Sequence, residues 1–183
     1  MALLQTPDVV FGTPCPDFDL PDPGGERFSL DGVRGPNGLV VAFICNHCPY
    51  VIAMADRLAA DLETLRTEGI GGVCIMSNDW RAYPQDAPDR MGTFAAQHGL
   101  TAPYLVDEKQ AVAQAFGAVC TPDLFGYGPG MKLGYRGRLD DIGMRGGDVN
   151  ARRPELIEAM RALAAGGKVE DQTPSMGCSI KWR

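Results

Sequence analysis

An unbroken apolar run, Leu39-Val40-Val41-Ala42-Phe43-Ile44, leads directly into Cys45-Asn46-His47-Cys48-Pro49, and a helical pattern follows at once. A short all-apolar run of this kind reads as a strand buried on both faces. From Pro49 to Glu68, the residues Val51, Met54, Ala55, Leu58, Leu62 and Leu65 recur at helical spacing, and Gly69 stops the pattern. Two cysteines therefore sit where a strand ends and a helix starts. Sulfurs two residues apart can close a small disulfide only where the backbone turns, and a helix start supplies that turn. Free N–H groups and the positive end of the helix dipole favour thiolate over thiol there. Pro49 suits the first helical turn, where its missing N–H is not needed. His47 can offer either sulfur a positive charge or a hydrogen bond. The spacing points to thiol redox chemistry. Zinc is the competing use of such a pair, but structural zinc normally takes a second pair, and the chain holds no other Cys-x-x-Cys and no His-x-x-x-His.

Composition narrows the setting. With 183 residues, 45% hydrophobic and 22% charged, the chain is expected to form one domain over residues 1–183, a core at 7–165 followed by a tail at 166–183. The formal net charge is −6 and the 17 Lys and Arg are scattered, which argues against nucleic acid or an anionic membrane surface as partner. Met1 to Val10 lacks a basic segment followed by an apolar one, and no apolar run has the length of a membrane span. A cytoplasmic location is the expectation. There the 6 cysteines, Cys15, Cys45, Cys48, Cys74, Cys120 and Cys178, read as catalytic or buried thiols rather than a disulfide scaffold.

Along the chain, strands and helices alternate. Asp17 to Leu20 and Arg27 to Leu30 flank Pro21-Asp22-Pro23-Gly24-Gly25 as a short N-terminal hairpin. Gly72 to Ser77 is a second buried strand, then a helix covers about Arg90 to His98, a short strand Pro103 to Asp107, and a helix Ala111 to Phe116. Cys120-Thr121-Pro122 opens a new strand. Asp123 to Tyr127 and Met131 to Arg136 flank Gly128-Pro129-Gly130 as a hairpin, and a helix from Pro154 to Ala165 closes the core. The tail has weak local preferences, with Trp182 available as an anchor. Parallel strands alternating with helices, followed by an antiparallel hairpin, predict a three-layer α/β fold with a mixed central sheet flanked by helices.

Gly12-Thr13-Pro14-Cys15-Pro16-Asp17-Phe18-Asp19-Leu20, the apolar strand into Cys-Asn-His-Cys, Leu105-Val106-Asp107, Thr121-Pro122 and Met131 to Asp140 together resemble the thioredoxin superfamily, and more narrowly its AhpC/TSA or redoxin group. The tail segment Gly177 to Trp182 also resembles that of small bacterial thioredoxin-like proteins described as thiol-disulfide isomerases. The resemblance implies that Cys45 is the nucleophile, Cys48 the resolving cysteine, and Pro122 a cis-proline facing the pair. It further implies that the Thr121 backbone lies beside Cys45, where an extended substrate chain can pair with it. Three positions depart from the pattern. Ile44 replaces the tryptophan of thioredoxin, Leu39 falls where thioredoxin buries an acid, and Cys45 stands at the threonine position of the peroxiredoxin Thr-x-x-Cys motif.

Other candidates carry less. Cys74 lies within an apolar strand and reads as core. Cys120 falls near the active end with its direction open, while Cys15 and Cys178 are either third thiols that exchange with the pair or exposed bystanders. His98 suits a helix C-terminus. Arg136 and Arg138 could bind an anion or peroxide, but an exposed hairpin normally solvates such charges. The leading function is a thiol-disulfide oxidoreductase with Cys45, Cys48 and His47 catalytic, Thr121 and Pro122 binding substrate, and no cofactor or metal beyond the Cys45–Cys48 disulfide. Its partners would be protein or small-molecule disulfides and thiols, and its state a monomer or homodimer. The alternatives are a peroxiredoxin-like thiol peroxidase with an antioxidant role, and a copper-binding chaperone on the same fold, since thiolates and histidine suit Cu(I).

Overall fold

The apolar run forms β4 (Gly38–Phe43), the middle strand of a five-stranded sheet in the computed structural model, which describes residues 2–183. Beside it lie β5 (Ile70–Met76) and β6 (Tyr104–Val106), both parallel, and on its other side β8 (Asp123–Tyr127) and β9 (Leu133–Gly137), each antiparallel to its neighbour. The sheet order is β6-β5-β4-β8-β9. Every residue of β4 is buried, as a central strand covered on both faces requires.

Strand alternation divides the core between the two faces. Val40, Ala42 and Ile44 pack toward α3 (Ala55–Thr67) through Leu58, Leu62 and Leu65, and toward α6 (Glu155–Ala164) through Leu156 and Met160. Leu39, Val41 and Phe43 pack on the opposite face, against Phe116 of α5 (Ala111–Phe116), Phe125 and Phe18. Phe43, Phe116 and Phe125 meet edge to face, with ring centroids 5.3, 5.7 and 5.6 Å apart. Each such buried ring contributes about 1.5–3 kcal/mol relative to exposure. The expected N-terminal hairpin forms from β2 (Asp19–Pro21) and β3 (Arg27–Ser29), followed by the single turn α1 (Leu30–Val33), whose Leu30 and Val33 cover this second face. A further helix, α4 (Pro88–Gln97), adds Met91 and Phe94 to the first. Among the described residues, no helix is long and apolar enough to cross a membrane.

The helix after the cysteines is broken. It begins as α2 (Pro49–Ile52) and restarts as α3. Ile52 and Ala53 N–H close regular bonds to Cys48 and Pro49, but Met54 N–H turns back to the Val51 carbonyl (3.1 Å), tightening one turn before Leu58 bonds to Met54 (2.8 Å). Neither proline nor glycine marks the break, so the apolar periodicity runs straight through it.

The chain also changes sheet at Pro122. β7 (Cys120–Thr121) does not join the central sheet; the Thr121–Pro122 bond is cis, and β8 begins directly after it. β7 instead pairs with β10 (Met176–Ser179) from the tail, and β10 pairs with β1 (Leu3–Gln5), in the order β1-β10-β7. Both ends of the chain thus meet beside the cis-proline.

Candidate active site

Cys45 leaves the end of β4, whose pairing extends by one more bond from Ile44 N–H to the Ile75 carbonyl (3.1 Å). Asn46 and His47 form a bend, and Cys48 is the N-cap of α2, with Pro49 in the first turn. The cysteines and Thr121-Pro122 are brought together: Cys48 Sγ donates to the Thr121 carbonyl (3.0 Å), and Cys45 Sγ lies 3.3 Å from Thr121 Oγ1. Both sulfurs are buried, Cys45 at 1% exposure and Cys48 at 0%.

Asp86, which the sequence pattern does not single out, organises the bend from below. Its buried carboxylate accepts from Asn46 N–H (2.9 Å) and from Asn78 Nδ2 (2.8 Å), and it lies 2.8 Å from His47 Nδ1. The His47 contact is at ion-pair distance, although its geometry falls short of a hydrogen bond. His47 stacks on Tyr83, with ring centroids 5.9 Å apart and planes 6° from parallel. Tyr104 Oη donates to Asn46 Oδ1 (3.1 Å), completing the support of the bend.

The electrostatics around the pair favour negative charge on Cys48 over Cys45. Interaction between the two thiols raises Cys45 and lowers Cys48; burial and the nearby Asp86 charge push Cys45 up further. Backbone N–H groups of Cys178 and Val51 also favour negative charge on Cys48, although no tight cap bond closes at the helix start. The Thr121 carbonyl opposes this, because it accepts from the protonated Cys48 thiol. The start of the helix acts in the same direction: with Pro49 in the first turn, Cys48 is the N-cap residue.

The close polar contact with Asp86 raises the His47 pKa above 6.5, against the opposing effect of burial. A raised folded pKa means that the His47–Asp86 contribution to stability is complete below about pH 6.5 and is lost as pH rises through the raised value. The native protein is therefore expected to lose stability as pH rises above about 6.5, and His47→Gln to flatten that decline. Urea titrations across that range measure this, and an unchanged slope would mean that His47 is neutral throughout.

The remaining thiols divide. Cys74 is fully buried in β5 and burial pushes it up to about 12. Cys120 is buried, and burial also takes it to about 12. Cys15 is half-buried beside Tyr127 and again pushed up to about 12 by burial. Cys178 is no exposed bystander: at 7% exposure it shares the apolar cluster of Cys45 and Cys48. Arg136 is also not the solvated hairpin charge that its position suggests. It is buried, paired with Asp123 at 3.0 and 2.8 Å, bonded to the Gly117 carbonyl, and lies over the Phe125 ring. Arg138 pairs with Glu155. Neither guanidinium is free to hold a peroxide. His98 caps its helix end and bonds Asp56 (2.6 Å).

Cys45, His47 and Asp86 place one sulfur, one nitrogen and one oxygen donor within 4.8 Å of one another. That mixed set differs from the paired soft sulfurs that suit Cu(I).

A cysteine pair at the end of a central parallel strand, facing a cis-proline across a mixed sheet, defines a redox protein of the thioredoxin-like fold. Residues 11–138 match the AhpC/TSA family, and the chain belongs to it. A Mycobacterium tuberculosis protein of strain H37Rv, provisionally named peroxiredoxin Rv2521, is 28% identical over 124 residues, 68% of this chain and 74% of that protein. An uncharacterized conserved protein from Geobacillus kaustophilus is 37% identical and superposes with a TM-score of 0.92 over 100% of this chain and 97% of that one. The thioredoxin domain of a thiol-disulfide oxidoreductase from Bacteroides vulgatus, 14% identical, shares the fold with a TM-score of 0.59 over 70% of this chain and 89% of its own.

Proposed function

We propose that the protein is a thiol-disulfide oxidoreductase in which Cys48 attacks a substrate disulfide and Cys45 resolves the mixed disulfide. The observation that carries this reading is the convergence of both thiols on Thr121 beside cis-Pro122, Cys48 Sγ at its carbonyl and Cys45 Sγ at its hydroxyl. The interaction between the two sulfurs, which raises Cys45 and lowers Cys48, supports Cys48 as the attacking thiol. The Cys48 thiolate forms a bond to one substrate sulfur and the other leaves as a thiolate, taking up a proton. Cys45, once deprotonated, then displaces the bound sulfur and closes the Cys45–Cys48 disulfide. Protein or small-molecule disulfides are the proposed partners, with no cofactor, in the cytoplasm. His47 and Asp86 set the charge beside the pair, and Thr121 with Pro122 walls it.

A peroxidase reading draws support from one feature, the thiolate on Cys48, one position before Pro49, together with the name of the mycobacterial relative. The arginines that could polarise a peroxide are occupied by Asp123 and Glu155. Dithiothreitol-driven reduction of insulin and of a small aromatic disulfide, beside peroxide consumption, separates the two. Exchange is expected to fall at least about 100-fold in Cys48→Ser. Rapid peroxide consumption that persists in Cys45→Ser, with no exchange in the native protein, would replace this reading by the peroxidase one.

A further inference from the structure

The edge of Thr121 is already occupied. β10 runs antiparallel along β7 with Cys178 directly opposite Thr121 and Ser179 opposite Cys120. Ser175 Oγ donates to the Pro122 carbonyl (3.0 Å), and Ile180 N–H to the Val119 carbonyl (3.0 Å), so the strand is fixed on both sides of Cys178. Beyond it, Lys181 N–H bonds Asn78 Oδ1 (2.9 Å), and the same Asn78 holds Asp86. β1 covers the outer edge, with Leu3 opposite Cys178. Directly opposed residues of an antiparallel pair have Cα atoms about 4.5–5.5 Å apart. Thr121, the residue facing Cys178, is also the residue that Cys48 Sγ touches at 3.0 Å. Two sulfurs therefore touch Thr121, and Cys178, which shares their apolar cluster, sits directly opposite it.

We propose that Cys178 is a second resolving thiol for Cys48, so that the site cycles through a Cys48–Cys178 disulfide as well as Cys45–Cys48. The proposal rests on the oxidoreductase reading for the first step alone, the formation of a mixed disulfide at Cys48. The Cys178 sulfur, losing its proton, then bonds to Cys48 Sγ; the bond between Cys48 and the substrate sulfur breaks, and the substrate thiolate leaves with the electron pair and takes up a proton. No other oxidant is consumed. Charge favours the order of events. While Cys48 is a thiolate, burial first and then the neighbouring negative sulfur hold Cys178 protonated, at about 11. Once Cys48 is tied up in a neutral disulfide, that second influence is gone and the Lys181 charge nearby remains.

Gly177 shows how closely β10 is seated. A Cβ at this position would lie 2.1 Å from the Thr121 carbonyl oxygen, so any side chain drives β10 away from β7. Gly177→Ala therefore moves Cys178 without touching a sulfur.

Peptide mapping tests the proposal. Trypsin leaves Cys45 and Cys48 together between Arg34 and Arg57, and Cys178 in a separate peptide ending at Lys181. The full chain with Cys45→Ser, treated under native conditions with oxidised glutathione, acid-quenched and alkylated, should yield the Cys48–Cys178 cross-link in at least about tenfold excess over glutathionylated Cys48, because the neighbouring thiol outcompetes millimolar glutathione. Adding Gly177→Ala should reverse that ratio while circular dichroism stays native. Recovery of glutathionylated Cys48 with alkylated Cys178 would overturn the proposal, as would a cross-link that Gly177→Ala leaves intact. If Cys48 takes up no glutathione at all, the oxidoreductase reading fails together with it. Cross-linking without insulin reduction by the native protein sinks that reading and leaves Cys178 as the partner of Cys48.

Discussion

Replacing Cys48 by serine should erase a thiolate that titrates within the roughly 3.5–7.5 range of activated cysteines. An ordinary thiol with a pKa of about 8.5 is only ~0.3% ionised at pH 6, so the ultraviolet absorbance of the thiolate isolates this one group. Cys45→Ala should keep the titration step but move it up by about 1–2 pH units, since a hydrogen bond to a charged group contributes ~1.5–3 kcal/mol and each unit corresponds to about 1.4. The opposite pattern, in which Cys45→Ala removes the step and Cys48→Ser keeps it, would return the nucleophile to Cys45. The Thr121 carbonyl, 3.0 Å from Cys48 Sγ, is the contact that would then prevail.

Arg136→Leu is expected to be the most destabilising single change outside the apolar core. Asp123 has no exposure and its carboxyl is already pushed up by burial despite the guanidinium beside it. Removing the guanidinium leaves that charge buried and unpaired, which costs about 3–5 kcal/mol. For a chain of this size the melting temperature should fall by roughly 6–20 °C. The sign of the pH dependence follows: with its folded pKa raised further, Asp123 contributes best when neutral. The deficit of Arg136→Leu should therefore shrink as pH falls toward the unfolded value of about 3.9, grow as pH rises from there to the raised folded value, and level off above it. The double change Arg136→Leu with Asp123→Leu should recover most of the loss. A single-variant deficit under about 1 kcal/mol would mean that water reaches the pair.

The central sheet was legible because its signals are local. Leu39 to Ile44 has no polar residue, the Pro21 to Gly25 and Gly128 to Gly130 turns announce both hairpins, and each prescribes its own neighbourhood. What escaped depends on partners distant in the chain. Arg136 reads as a hairpin charge until β8 places Asp123 beside it, and Asp86 sits in a Pro-rich stretch with nothing to connect it to His47. Met176 to Ser179 is a short strand without periodicity, so its pairing with Thr121 is not encoded nearby. The start of the helix at the pair was readable. Pro49 suits the first helical turn, which already makes Cys48 the N-cap.

The seating of β10 against β7 has a consequence for the order in which the molecule is made. Cys178 follows Cys48 by about 130 residues, an interval that takes a ribosome ~6–26 s at about 5–20 residues per second. Cys45, Cys48 and Thr121 all emerge before the strand that roofs them. For those seconds the nascent chain carries an open cysteine pair and an unpaired β7 edge. The finished protein exposes neither.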